Sequence, residues 1–194
     1  MNKFNFKQIL PYASAVIIFL VITLVYLSPL LEGQRLKQDD ITRHKGMSKE
    51  VVDYREKTGI DPLWTNSMFS GMPAYQISVE YKGNLIRFID DIFMLGLPHP
   101  AGLVFMYMLG FFILLVVLKV DPWLSIGGAI AFGFSSYFFI ILEAGHNSKA
   151  HAIGYLAPVI AGIIMTYRGK YLIGGVLTLL FLALEIHAGP PQIT

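Results

Sequence analysis

The sequence predicts an all-α polytopic membrane protein with about five transmembrane helices, and three observations support this fold class. Of the 194 residues, 55% are hydrophobic and only 14% are charged, and the mean hydropathy is +0.58. Five apolar stretches approach or reach the roughly 20 residues that cross a hydrocarbon core. The cations of the short loops also alternate with these stretches as the positive-inside rule requires. A soluble domain of this size has too little interior to hide so much apolar surface.

The predicted spans form two blocks separated by a long polar segment. They cover Ile9–Leu31, Ala101–Leu118, Trp123–Leu142, Ala152–Tyr167 and Tyr171–His187. The fourth stretch is short, and a helix that begins near Ser148 would lengthen it. We therefore predict an N-terminal anchor helix over 1–31, a loop over 32–100 and a four-helix transmembrane bundle over 101–194, which we expect to be truncated.

The short loops predict the orientation of the chain. Lys3 and Lys7 precede the first span, Lys119 follows the second, and Arg168 and Lys170 lie between the last two. A cytoplasmic N-terminus places all five cations inside. The long segment then becomes a large first extracytoplasmic loop.

The small net charge of +2, without a cluster of cations, predicts no nucleic-acid partner. The absence of cysteine excludes disulfides and thiolate metal sites.

Two short helices are predicted within the long loop. In GMSKEVVDYREKTG, Ser48 is a candidate cap and Gly59 a stop signal. The stretch NLIRFIDDIF predicts an amphipathic helix that lies along the outer surface of the membrane. Its apolar face is formed by Leu85, Ile86, Ile89, Ile92 and Phe93, and its polar face by Arg87, Asp90 and Asp91.

Asp39 and Asp40 follow the first span closely and are candidates for chemistry. Two adjacent carboxylates near a low-dielectric boundary repel each other, which raises one pKa and favours a proton acceptor. The alternative is a solvated acidic pair among the neighbouring cations, and the sequence leaves both open.

The stretch EAGHNSKAHAIG, residues 143–154, concentrates polar side chains between two apolar spans. Gly145 is expected to end the third span, and Asn147 or Ser148 to cap the fourth. The outward-facing N-terminus of that helix would offer free N–H groups to an anion such as a lipid phosphate. The side chains that would add charge and donors are His146, Asn147, Lys149 and His151. The alternative is an exposed polar turn with a snorkelling lysine.

Metal binding is not predicted at this turn. His146 and His151 are separated by about 140° around a helix and do not share a face.

In the fifth span, Glu185 lies about 21 Å along the helix from Tyr171, still within the bilayer. An ionisable group at that depth is a functional candidate, with His187 as its expected partner. A distorted helix end is the alternative.

The layout resembles the YfhO-type bacterial membrane proteins over essentially the whole chain. The resemblance is carried by LPYASAVIIFLVITLVYLSPLLEGQRLKQDDITRHKGMSKEVVDYREKTGIDPLWTNSMFSGMPAYQIS and by IAFGFSSYFFIILEAGHNSKAHAIGYLAP. That family is similar to the GT-C glycosyltransferases, which transfer sugar from a polyprenyl-phosphate carrier to an extracytoplasmic acceptor of the cell envelope. The resemblance implies a multi-pass protein of the bacterial cytoplasmic membrane. The family has many more spans, so we expect the chain to be an N-terminal part of such an enzyme.

The resemblance also implies roles for individual residues. Asp40, with Asp39 beside it, occupies the early acidic position of the first loop, which in GT-C enzymes is the catalytic base. The loop around Trp64 would either hold a sugar face or pack on membrane helices. The sequence establishes no cofactor, and a divalent cation remains open. Two competing functions stay open as well: a transporter or flippase-like subunit that depends on Glu185, and a non-catalytic membrane scaffold.

Overall fold

The computed structural model describes residues 6–78 and 83–188, and in these ranges the chain is helical apart from one small β-ribbon. The helices are α1 (Phe6–Tyr26), α2 (Ser28–Leu31), α3 (Asp39–Thr58), α4 (Ile86–Phe93), α5 (Ala101–Val117), α6 (Pro122–Gly133), α7 (Ser136–Ala144), α8 (Asn147–Tyr167) and α9 (Tyr171–Ala188). The strands β1 (Trp64–Thr65) and β2 (Met72–Pro73) pair antiparallel, and a 3-10 turn, Ala74–Gln76, follows them.

Four helical segments are long and apolar enough to cross a membrane. They are Ile9–Tyr26, Pro122–Ala144, Asn147–Tyr167 and Tyr171–Ala188. These segments give the protein the character of an all-α, multi-pass membrane protein. The segment Asn147–Tyr167 begins close to Ser148, which confirms the predicted extension of the fourth span.

The predicted second span is the centre of the bundle. Helix α5 has 17 residues, of which eleven are buried. It packs against α1, α6 and α8. A helix that is apolar on all sides is expected in the interior, and α5 is enclosed by longer spans.

Two of the predicted spans are interrupted. The stretch Ile9–Leu31 is divided, because α1 ends at Tyr26 and the short α2 begins at Ser28. The stretch Trp123–Leu142 is likewise divided into α6 and α7, where Ser135 adopts an extended backbone with ψ 131°. Hydropathy averages over such breaks and does not reveal them, although Ile9–Tyr26 and Pro122–Ala144 are still long and apolar enough to span.

Small residues allow the spans to approach closely. A Cβ at Gly162 would lie 2.4 Å from the Thr178 hydroxyl oxygen, and a Cβ at Gly174 would lie 2.4 Å from that of Thr166. This reciprocal contact fixes the antiparallel register of α8 and α9, as small residues do between membrane helices. If the pairing of Gly162 with Thr178 is continued along the two helices, Glu185 lies beside the middle of α8.

The long loop is held together by α3 and the ribbon. Helix α3 begins at Asp39, nine residues before the predicted cap Ser48, which is instead buried inside the helix. The prediction of that start was wrong because carboxylates in a first turn stabilise a helix through its dipole. The predicted stop is confirmed, since Gly59 ends the helix at φ 71°. The Glu50 carboxylate accepts hydrogen bonds from the Thr65 hydroxyl (2.6 Å) and the Ser67 amide (2.8 Å), fastening the ribbon to α3.

Candidate functional site

A cavity of about 280 Å³ opens at the end of the bundle where α8 begins. Its apolar wall includes Met94 and Leu103, at the connection between α4 and α5. Its polar wall is formed by Asp91, His99, Asn147, Ser148 and His151. The cavity therefore brings the long loop and the first turns of α8 to one place, and it combines hydrogen-bonding groups with apolar surface.

The strongest polar contacts beside the cavity converge on Asp90. His151 Nε2 donates to Asp90 Oδ1 over 2.7 Å, and the Tyr155 hydroxyl donates to the same oxygen. Asp90 is buried, with only 7% of the residue exposed. Burial raises the pKa of this carboxyl group, but the hydrogen bonds from His151 and Tyr155 outweigh it and hold the pKa of Asp90 below its ordinary value. Asp90 is therefore a carboxylate at neutral pH.

The position of Asp90 corrects the predicted faces of α4. The helix itself, Ile86–Phe93, is confirmed, but Asp90 lies on its buried side. Leu85 and Ile92, which were predicted on the apolar face turned to the membrane surface, are 75% and 70% exposed, so only the placement of Asp90 is corrected. The sequence pattern treated every charge as solvated. A carboxylate enters the interior only with partners, and those partners stand on α8, out of reach of a local pattern.

Gln38 connects the start of α3 to the start of α8. Its amide exchanges two hydrogen bonds with the Asn147 side chain, at 2.8 and 3.1 Å. It also donates to the carbonyl oxygen of Leu142 at the end of α7. Gln38 is 8% exposed, so these bonds satisfy a buried amide. Asn147 was predicted to cap α8, but its side chain is used for this contact instead.

Asp40 and His146 meet beside Asn147 but are not among the residues that line the cavity. Asp40 Oδ2 lies 3.5 Å from His146 Nδ1, and both side chains are about half exposed. The turn at Gly145 permits this approach, since a Cβ there would be 3.0 Å from Asp40 Cβ. Gly145 has φ 97° and ends α7, as predicted. Asp39 is exposed beside this pair.

Lys149 and Trp64 lie outside the lining of the cavity. The Lys149 ammonium is 5.4 Å from the centre of the Tyr137 ring on α7, a cation–π contact. Trp64 belongs to the ribbon, where its ring covers Gly71 so closely that a Cβ at that glycine would be 2.7 Å from Nε1. Trp64 is 56% exposed.

Glu185 and His187 point to different surroundings. Glu185 is 2% exposed and makes no hydrogen bond or ion pair with any residue in the described ranges. His187 Nδ1 accepts a hydrogen bond of 2.8 Å from the Asn84 side-chain amide. The predicted pairing of Glu185 with His187 is thus replaced by a contact between α9 and the segment before α4.

Sequence reasoning missed Asp90, Tyr155 and Gln38. A signal existed for Tyr155, because it follows His151 by four residues and therefore shares its helix face. Nothing in the local pattern indicated Gln38. Within residues 6–78 and 83–188, no three His, Asp or Glu side chains are placed together to hold a metal ion.

The fold and this site define a class: an all-α membrane protein whose loop and bundle share a polar cavity at one end. Comparisons with protein-family models, with curated proteins and with solved structures find no match to this chain.

Proposed function

We propose that the protein is a membrane glycosyltransferase of the GT-C type, which transfers a sugar from a polyprenyl-phosphate carrier to an extracytoplasmic acceptor of the cell envelope. The observation that supports the proposal most is the cavity at the N-terminal end of α8. The proposal places the protein in the bacterial cytoplasmic membrane with its N-terminus inside, so that the cavity faces out. A donor carried by a lipid and an acceptor from the envelope would then reach the cavity from two sides.

The start of α8 suits the leaving phosphate. His146 provides no side-chain cap for this helix. The Asn147 N–H donates to the Gly145 carbonyl over 2.8 Å, so the N–H groups of Ser148 and Lys149 are the ones that remain available as donors. The positive end of the helix dipole lies at the same point. Ser148 lines the cavity and adds a hydroxyl donor, while His151 lines it with its Nε2–H already donated to Asp90. Charge that develops on the phosphate oxygen would thus meet groups already in place.

Asp40 is the proposed base. Its carboxylate is 43% exposed, and among residues 6–78 and 83–188 its one ion-pair partner is the imidazole of His146 at 3.5 Å, so an acceptor hydroxyl has access to it. The hydroxyl oxygen would attack the anomeric carbon of the donor, the bond from that carbon to the phosphate oxygen would break, and the proton would pass to Asp40. The phosphate leaves with the electron pair of the broken bond.

The test is a transfer assay on the full chain in lipid nanodiscs, supplied with polyprenyl-phosphate sugars. We expect Asp40→Asn to lower turnover about 10²- to 10⁴-fold, the usual contribution of a general base. Asp39→Asn, on the adjacent exposed residue, is the matched control and should retain activity. Equal turnover of wild type and Asp40→Asn would remove Asp40 from the mechanism.

The orientation can be tested separately, because the chain has no cysteine. Single cysteines at positions 40 and 149 should react with an impermeant maleimide from the outside, and one at position 119 should not. Labelling of positions 40 and 149 from opposite sides would contradict the proposal whatever the assay shows.

A second candidate function is proton-coupled transport, and Glu185 is the observation that favours it. A carboxyl group buried in a span without a described partner is a functional candidate by default. Transport predicts that Glu185→Gln abolishes activity while Asp40→Asn does not. A non-catalytic scaffold predicts that neither substitution changes any activity.

A further inference from the structure

A second cavity, of about 600 Å³, lies at the opposite end of the bundle. It is formed where α5 and α8 end, and three cations supply its charge: Lys119, Arg168 and Lys170. Val116, Val117 and Met165 supply an apolar floor one turn deeper. Among the described residues, no carboxylate lines it. A cavity with three cations over an apolar floor matches the two parts of an anionic lipid.

The charges of this cavity are not neutralised within the described part of the chain. The Arg168 guanidinium donates one hydrogen bond to the Val117 carbonyl, which leaves its other N–H groups free for a ligand. The ammonium groups of Lys119 and Lys170 make no hydrogen bond or ion pair with a described residue. Asp121, the acid nearest in sequence, caps α6 by accepting from the Trp123 amide at 2.9 Å.

The backbone at Lys119 is a second, independent observation. Helices α5 and α8 end in the same turn, with hydrogen bonds of 3.0 Å from Val120 to Leu115 and from Lys170 to Met165. The left-handed position of this turn is Gly169 in α8, at φ 80°, and Lys119 in α5, at φ 67°. An L-residue is disfavoured in this conformation. The strained position thus carries a residue that lines the cavity with a cationic side chain.

We propose that this cavity binds the phosphate headgroup of an anionic phospholipid, such as phosphatidylglycerol, with the start of its acyl chains on the apolar floor. The inference is independent of the glycosyltransferase proposal. A basic pocket between spans is a recognised setting for anionic headgroups. The positive-inside rule assigns this end to the cytoplasmic leaflet. A zwitterionic lipid would gain less, because its own ammonium group opposes the three cations.

The experiment uses the full chain with Trp64→Phe, so that Trp123, at the same end as the cavity, is the single fluorescent reporter. Nanodiscs are prepared with brominated phosphatidylglycerol or brominated phosphatidylcholine at equal mole fraction, and the quenching of Trp123 gives the relative affinity. We expect a clear preference for phosphatidylglycerol. Each of Lys119→Gln and Lys170→Gln should lower that preference about fivefold.

The control substitutions are at the other end of the molecule. Lys37→Gln and Lys45→Gln remove exposed cations of the long loop and should leave the preference unchanged. Circular dichroism establishes that each variant is folded. Equal quenching by both lipids in the parent protein, or a preference that survives the double substitution at 119 and 170, would overturn the proposal. Loss of the preference in excess inorganic phosphate would assign the cavity to free anions instead.

Discussion

Helices α3 and α4 each bring an aspartate to a histidine near the start of α8, but the two pairs differ in distance and in exposure. Asp40 and His146 are 3.5 Å apart, with side chains 43% and 57% exposed. Asp90 and His151 are 2.7 Å apart, with side chains 10% and 24% exposed. The first pair is solvated, and the second is closed off by packing.

The exposed pair is accessible to a substrate, whereas the buried pair fixes the positions of α4 and His151. Water screens the first pair, so it contributes little to stability but leaves the Asp40 carboxylate open to a substrate. The second pair is held in a low-dielectric setting, where each hydrogen bond is stronger and each missing partner costs more. Asp90 therefore holds α4 on α8 and fixes the ring of His151, which lines the cavity. Chemistry is expected at the exposed pair and stability at the buried pair.

The largest effect should come from Asp90→Ala. This change leaves the His151 imidazole and the Tyr155 hydroxyl without their acceptor, which is expected to cost about 3 kcal/mol of unfolding free energy. The measurement is unfolding in mixed micelles of dodecyl sulfate and maltoside, followed by circular dichroism. Asp91→Ala, on the exposed neighbour, should change stability by less than about 0.5 kcal/mol. Equal losses in the two variants would contradict the comparison.

Acid should weaken the buried pair. Because the pKa of Asp90 is lowered in the folded protein, its stabilisation is present above the unfolded pKa of about 3.9 and is lost as pH falls through the folded value. Each unit of lowering corresponds to about 1.4 kcal/mol. The free energy of unfolding, measured from neutral to acid pH, should therefore decrease less steeply for Asp90→Asn than for wild type. Parallel curves would show that His151 and Tyr155 do not stabilise the charged form.

Gln38→Ala should have an intermediate effect. It removes the reciprocal amide contact and leaves the Asn147 side chain with unmade hydrogen bonds, so we expect a loss of about 1–2 kcal/mol in the same unfolding assay. Gln34→Ala is the control, because Gln34 is exposed. A loss in Gln34→Ala as large as that in Gln38→Ala would argue against a tie between the loop and α8.

The smallest effect belongs to the exposed pair. A double-mutant cycle with Asp40→Asn and His146→Ala should give a coupling energy of about 0.2–1 kcal/mol. The corresponding cycle for Asp90 and His151 should give about 1.5–3 kcal/mol. Coupling energies of the same size would mean that burial does not distinguish the pairs.

Much of the fold could be predicted because its signals are local. The end of α3 at Gly59, the end of α7 at Gly145 and the existence of α4 follow from backbone preferences that the neighbouring residues set. The interrupted spans and the start of α3 could not be predicted in the same way. A break such as the one at Ser135 hardly lowers the mean hydropathy of the surrounding residues, so an average over a window does not detect it.

The candidate site divides along the same line. The polar stretch 143–151 and the aspartates at 39 and 40 were selected from the sequence, and the structure brings Asp40 to His146. Asp90 was assigned to solvent, because a charge in an amphipathic pattern is expected on the polar face. Its burial requires partners 61 and 65 residues away.

By itself, the sequence determined that the chain is helical and apolar enough for a membrane, where most helices end, and that the cations of two short loops share one end of the bundle. These properties are sums over neighbouring residues. Only the tertiary structure decided that Asp90 is buried, that Gln38 pairs with Asn147 across 109 residues, and that Glu185 lacks a described partner. A buried polar group depends on the particular side chains that packing brings within hydrogen-bonding distance, and contacts over such separations are set by the assembled bundle.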